Sequence, residues 1–224
     1  AATQVLTRLK NNSGTDIEDE SVDSAMRFAA ISSITLYLSK CPDIAPIFHE
    51  LLHTLFELLK DHQTGFRNAD LEVATIEAIN SLHSYSSELI KPFIPQLVQN
   101  VYICINLLTT IEDDEYTGDV RLSMIAVIME EIRLLIAHGA LEICGTELLE
   151  QALQIIQFAI TSSEMNLKCM EELIFLLIEM FKAVPDQTKQ YYTSNEKLQE
   201  LIHDANENLE EVKPLMSNLE PFLK

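Results

Sequence analysis

The stretch Asp43-Ile-Ala-Pro-Ile-Phe-His-Glu-Leu-Leu-His-Thr-Leu-Phe-Glu-Leu-Leu59 decides the fold. Apolar residues fall at Ile44, Ile47, Phe48, Leu51, Leu52, Leu55, Phe56 and Leu59. That spacing lines one broad face of a helix with 3.6 residues per turn. Asp43 suits an N-cap, and Pro46 falls in a first turn whose amides have no partner four residues back. A second amphipathic stretch follows over Ala69–His83, and the polar segment 61–69 between the two reads as a loop. Together they make a helix pair.

The pair recurs in both directions along the chain. Before it, Ala1–Lys10 and Val22–Leu38 flank a loop at 11–20. After it, Glu88–Thr109 pairs with Asp119–Ala137 across 111–119, and Thr146–Ile160 pairs with Glu164–Ala183 across 161–164. Helix breakers separate the copies: Pro42 and Pro46, Pro92 and Pro95, Gly139 and Gly145, then Pro185. A helix pair repeated about every 47 residues cannot bury its apolar face alone and must stack on its neighbours. The expected fold is therefore all-α, a right-handed α-α superhelix (an α-solenoid) of about four helix pairs plus C-terminal capping helices. After Pro185 the pattern turns polar. Thr193-Ser-Asn-Glu196 reads as a capping box opening a helix with Leu198, Leu201, Ile202, Ala205, Leu209 and Val212. Pro214 should end or kink it, and Leu215–Leu223 reads as a last short helix. Residues 1–184 are thus expected to be repeats and 185–224 capping helices of the same domain. The chain opens on Ala1-Ala2 inside an expected helix, which reads as a processed chain or an excised segment of something longer.

Composition agrees with helix: 47% of residues are apolar, there is no Trp, and only five are Gly. No apolar run approaches the ~18–20 residues that span a bilayer, and no signal peptide is evident. Acids outnumber bases 35 to 15, giving a net charge of −20. Such a surface repels phosphate backbones and anionic lipid, so direct nucleic-acid binding and membrane insertion are not expected. A protein partner with a basic segment is. Cys41, Cys104, Cys144 and Cys169 share no short spacing and each sits in an apolar context. They read as reduced core residues of a cytoplasmic or nuclear protein, as do Met124, Met129, Met165, Met170 and Met180.

The second helices share an opening. Met26-Arg27-Phe28-Ala29-Ala30-Ile31 aligns with Leu71-Glu72-Val73-Ala74-Thr75-Ile76, with Val120-Arg121-Leu122-Ser123-Met124-Ile125, and with Leu167-Lys168-Cys169-Met170. An apolar residue, a basic residue and then small residues resemble the second-helix signature of HEAT repeats. Ile90-Lys-Pro-Phe-Ile-Pro-Gln-Leu97 is similar to the HEAT first helix with its early proline. The resemblance covers roughly residues 1–184. It implies that the basic residue contacts acids of the loop and of the neighbouring repeat, and Glu72 breaks that ladder in the second unit. Among HEAT-type families, the acidity and unit length resemble importin-β-class karyopherins, which wrap basic cargo and a small GTPase along a concave acidic surface. The segment Glu112-Asp-Asp-Glu-Tyr-Thr-Gly118 resembles their acidic intra-repeat loops. Tubulin-binding HEAT domains of this length rely on basic loops, and here the loops are acidic.

Two constellations stand out. Asp16, Glu18, Asp19 and Glu20 in the first loop, and Glu112, Asp113, Asp114 and Glu115 in the third, would line one edge of the solenoid and could recognise a Lys/Arg-rich segment. Acids before a second helix also favour its N-terminus through the helix dipole. His49-Glu50-Leu-Leu-His53 is a His-Glu-x-x-His on a helix, which can place two imidazoles on zinc beside a general base. Glu72 follows after eighteen residues, the third-ligand spacing of one aminopeptidase family. Against a zinc metallopeptidase stand the absence of a convincing substrate-binding strand and the setting of Glu72 in Asp70-Leu-Glu-Val-Ala74. His49, His53, Glu57 and Lys60 read instead as one solvated stripe opposite Phe48, Leu52 and Leu55. The sequence thus points to a non-enzymatic interaction scaffold without cofactor, either a nuclear transport receptor segment or an assembly scaffold.

Overall fold

The computed structural model describes residue 29 and residues 31–34, 45–64, 69–110, 118–162 and 165–223. Of these residues 94% are helical, and none is in a strand. Most of the expected first pair, together with Cys41, lies outside the described residues. Within it, Ile31 and Ile34 are buried. The chain divides into two compact units, Ala1–Phe93 and Ile94–Lys224.

In the first unit a 3-10 turn, Ala45–Ile47, carries Pro46 and leads into α1, Phe48–Thr64. Phe48, Leu52 and Leu55 are fully buried, and α1 packs on α2, Ala69–Tyr85. The expected single helix from Glu88 to Thr109 is broken. Ser86 caps the four-residue α3, Ser87–Ile90, its hydroxyl accepting from the Leu89 amide at 3.3 Å, and a 3-10 turn Lys91–Phe93 follows. Pro92 has no N–H for the Glu88 carbonyl, so the α-helical ladder stops there. Phe93 closes an aromatic group, its ring 5.1 Å from His49 and 6.3 Å from Phe56.

The second unit runs α4 Ile94–Thr110, α5 Gly118–Ala137, α6 Ala140–Cys144, α7 Thr146–Thr161, α8 Leu167–Ala183, α9 Pro185–Ser194, α10 Glu196–Asn208 and α11 Lys213–Leu223. Pro95 sits harmlessly in the first turn of α4. The short α6 is bounded by Gly139 (φ 79°) and Gly145 (φ 58°), both in the positive-φ region that side chains with a Cβ resist. Asn166 caps α8 by accepting from the Cys169 amide at 2.8 Å, so this helix starts at Leu167, later than Glu164.

Beyond Pro185 the structure adds one helix to those delimited from sequence and corrects two expectations. Residues 185–194 form a helix of their own, with Thr188 its buried residue; lacking an apolar stripe, it has no periodic signal. Asn195, and not Thr193, caps α10, its side chain accepting from the Leu198 amide at 3.1 Å. Thr193 instead donates back to the Lys189 carbonyl at 2.8 Å. Finally, α10 ends at Asn208, where Leu209 turns extended (φ −115°, ψ 102°), well before Pro214. A 3-10 turn, Glu210–Val212, follows, and Pro214 sits in the first turn of α11, where its missing N–H has no partner to lose.

Packing in this unit alternates. The most extensive helix contact is α5 on α8, and α8 in turn packs on α11. In parallel, α4 packs on α7 and α7 on α10. The first helices begin at residues 94, 146 and 196, and the second at 118, 167 and 213. Ile128, Met129, Ile132, Leu135, Leu173, Ile174, Leu177 and Met180 form the core of α5 and α8, each at most 1% exposed. Burial of each such side chain is worth roughly 1.5–3 kcal/mol.

Candidate interaction surfaces

Two polar contacts hold the alternation in register, one on each row of helices. On the row of second helices, Arg133 of α5 donates through Nε to Glu172 of α8 at 3.1 Å, and its Nη2 lies 3.8 Å from Glu130. Its guanidinium also sits 5.3 Å from the Phe175 ring centroid, a cation–π arrangement. Burial raises the Glu172 carboxyl above the usual glutamate range; Arg133 opposes that rise and Glu130 adds to it. Glu130 and Glu172 both lie beside this guanidinium, and Lys168 acts with Arg133 to lower the Glu172 carboxyl. On the row of first helices, the buried Gln151 of α7 donates its side-chain amide to the Val98 carbonyl of α4 at 3.3 Å.

The solvent side of the first helices carries a gradient of charge. In α4 the exposed positions are Pro95, Gln96, Gln99, Tyr102 and Thr109, with no ionised side chain. On α7, Glu147 and Glu150 give way to Gln154, Gln157 and Thr161. On α10, Glu196, Glu200, Asp204 and Glu207 form an exposed acidic stripe at i, i+4, i+8 and i+11, with His203 Nε2 3.2 Å from Glu207. The signal for this gradient was in the sequence all along: no Asp, Glu, Lys, Arg or His occurs from Pro92 to Ile111. A search for charged and metal-ligating motifs passes over such a gap.

Of the residues singled out from sequence, Asp16, Glu18, Asp19, Glu20, Glu112, Asp113, Asp114 and Glu115 lie outside the described residues. His49, Glu50, His53, Glu57 and Lys60 are all exposed along α1. Glu72 is fully buried in α2, as are Thr75 and His83, while Asn80 is 1% exposed. The structure therefore does not bring His49 and His53 together with Glu72. Among the described residues no group of three or more His, Cys, Asp or Glu is arranged to hold a metal ion.

The shared opening of the second helices places Leu71, Leu122, Met124, Cys169 and Met170 in the core. Leu167 departs from it, being 40% exposed in the first turn of α8. Cys104 and Cys169 are buried and in no disulfide, and burial pushes the Cys169 thiol up to about 12. Cys144 is only half-buried and Met165 likewise, so neither is the core residue expected. Tyr192 packs edge-on against Phe181 at 6.4 Å, and Phe181 stacks on Phe222 at 5.5 Å, tying α9 and α11 to the end of α8. No helix among the described residues is long and apolar enough to cross a membrane.

No protein-family model matches the chain, and neither the curated proteins nor the solved structures compared with it include a significant match.

Proposed function

We propose that this chain is a non-enzymatic α-solenoid scaffold of the HEAT type that binds a protein partner through a basic segment. The observation that carries the reading is the alternation over residues 94–223: first helix on first helix, second on second, through three successive pairs. Stacks of this kind present long, side-by-side helix surfaces and no enclosed reaction site, and their commonest use is partner binding. The acidic excess supplies the chemistry of the partner. It comprises the α10 stripe and, from sequence, the loop acids at 16–20 and 112–115. A polypeptide rich in Lys and Arg is drawn to such a surface and oriented on it. Transport of basic cargo in the manner of importin-β-class karyopherins is the most specific form of this role; an assembly scaffold in the cytoplasm or nucleus is the more general one.

A pull-down with Lys/Arg-rich bait, using wild type and the Asp113→Lys, Asp114→Lys, Glu115→Lys triple variant, tests the role of the loop. Retention should fall sharply in the variant. Unchanged retention removes the third loop from the binding surface.

A further inference from the structure

We infer that the seam between α4 and α7 is a latch that opens locally, parting these first helices while the second helices stay packed. Gln151 carries the inference. It is 3% exposed, and its amide is only half used. Nε2 donates to the Val98 carbonyl at 3.3 Å, long for such a bond. That carbonyl lies inside α4, where the helix ladder already engages it through the amide four residues on. The Oε1 atom, equally buried, accepts no hydrogen bond among the described residues.

A buried amide oxygen without a donor gives up its hydration and gains nothing in return. Gln151 therefore weakens the closed seam relative to an apolar side chain of the same length. Water supplies the missing donor once the seam parts. The opposite holds in the row of second helices. There α5 meets α8 in the most extensive contact of the unit, through fully buried side chains such as Ile132 and Leu177, and Arg133 bonds Glu172 across it. One row is built to stay shut; the other holds an unmatched acceptor.

The connection between the two pairs permits the motion. The short α6 touches α4, α5 and α7, yet Ala140 is its one buried residue. Gly139 (φ 79°, ψ 18°) and Gly145 (φ 58°, ψ −131°) bound it. A Cβ at either glycine would meet no atom within 4 Å, so these positions need backbone freedom and not room. With a glycine at each end and so little buried, α6 has few contacts to lose when α7 moves from α4. The latch is a property of the stack and does not depend on the chemistry of the partner.

Thiol labelling of the whole chain, with the labelled sites resolved by mass mapping, tests this. Val98→Cys puts a thiol on the residue that Gln151 bonds, and Leu177→Cys puts one in the contact of α5 and α8. The Val98→Cys thiol should label at least tenfold faster than the Leu177→Cys thiol. Adding Gln151→Met, which keeps the length and removes the unmatched oxygen, should slow the Val98→Cys thiol at least tenfold. Gln151→Leu replaces Gln151→Met if circular dichroism shows that variant to have lost helix. Native-state hydrogen exchange repeats the comparison on the unsubstituted chain, with amides 98–102 expected to exchange faster than amides 173–177. Equal rates at seam and core, both following global unfolding in urea, overturn the proposal, because the seam then opens only when the protein unfolds. So does a Val98→Cys thiol that labels no more slowly once Gln151 is replaced.

Discussion

Arg133 and Glu172, 39 residues apart in sequence, meet across α5 and α8 with Nε 3.1 Å from Oε2. The pair is a charged counterpart to the apolar packing beneath it, and it marks the register of one second helix on the next. The side chains are only 23% and 13% exposed, so each needs the other. Arg133→Met should cost about 1–3 kcal/mol, because it takes the bonded guanidinium from the part-buried Glu172 and leaves Lys168 alone to offset Glu130. Glu172→Gln should cost less, and the double variant less than the sum of the two singles. Urea unfolding of the four proteins gives the coupling; purely additive costs would show that the contact does not hold the helices together.

The acid–base behaviour of the same site has a sign that can be checked. Burial holds the folded-state Glu172 carboxyl above its unfolded value, despite Arg133. A raised carboxyl contributes stability that is fully present below the unfolded value and is lost as pH rises through the folded one. Relative to Glu172→Gln, the wild type should therefore gain stability as pH falls from 7 towards the unfolded glutamate value of about 4.3. Thermal melts of both proteins at stepped pH report it. A wild type that loses ground to the variant on acidification contradicts the assignment.

The thiols should separate by reactivity. Cys169 is 0% exposed with its thiol pushed up to about 12, and Cys104 is 3% exposed. Only thiolate reacts, so both should resist a thiol reagent at pH 8 until the protein unfolds. Cys144 is half-buried with a thiol raised by desolvation and, secondarily, by Glu147. In a Cys41→Ser background it should be modified first, at a rate below that of a free thiol. Rapid native-state labelling of Cys169 would mean that α8 does not pack as described.

At the His-Glu-x-x-His, burial separates what sequence spacing joined. His49 and His53 are exposed on α1, and Glu72 is fully buried on α2. His53→Ala should change stability by no more than about 0.5 kcal/mol, the usual range for a surface site. Elemental analysis of the purified protein should find zinc below one equivalent and unaffected by the substitution. One equivalent of zinc that disappears in His53→Ala would restore the peptidase reading.

The differences between sequence and structure have physical causes. Helices with a wide apolar face, such as α1 and α7, were readable to within a few residues because burial imposes the 3.6-residue period on their composition. In contrast, α9 buries Thr188 fully and Tyr191 and Tyr192 only in part, and so left no period. The cap at Asn195 and the break at Leu209 depend on a single side chain or dihedral pair, for which Thr193 and Pro214 were equally plausible by type. Glu72 and His83 are polar residues on a buried face, and a polar letter does not say which way it faces. Of the surfaces, the acidic stripe on α10 was visible as a run of acids. The neutral face on α4 was visible only as missing charge, and it becomes a surface once α7 is packed beside it.

Recruitment of a basic polypeptide by the acidic helical stack is measured by calorimetric titration of the whole chain with a Lys/Arg-rich peptide at increasing salt. A Glu-rich peptide of equal length serves as the reference. Saturable binding of the basic peptide alone is expected, with affinity falling steeply as salt screens the acidic surface. Absence of saturable binding at low salt, or an affinity independent of salt and of peptide charge, would contradict it.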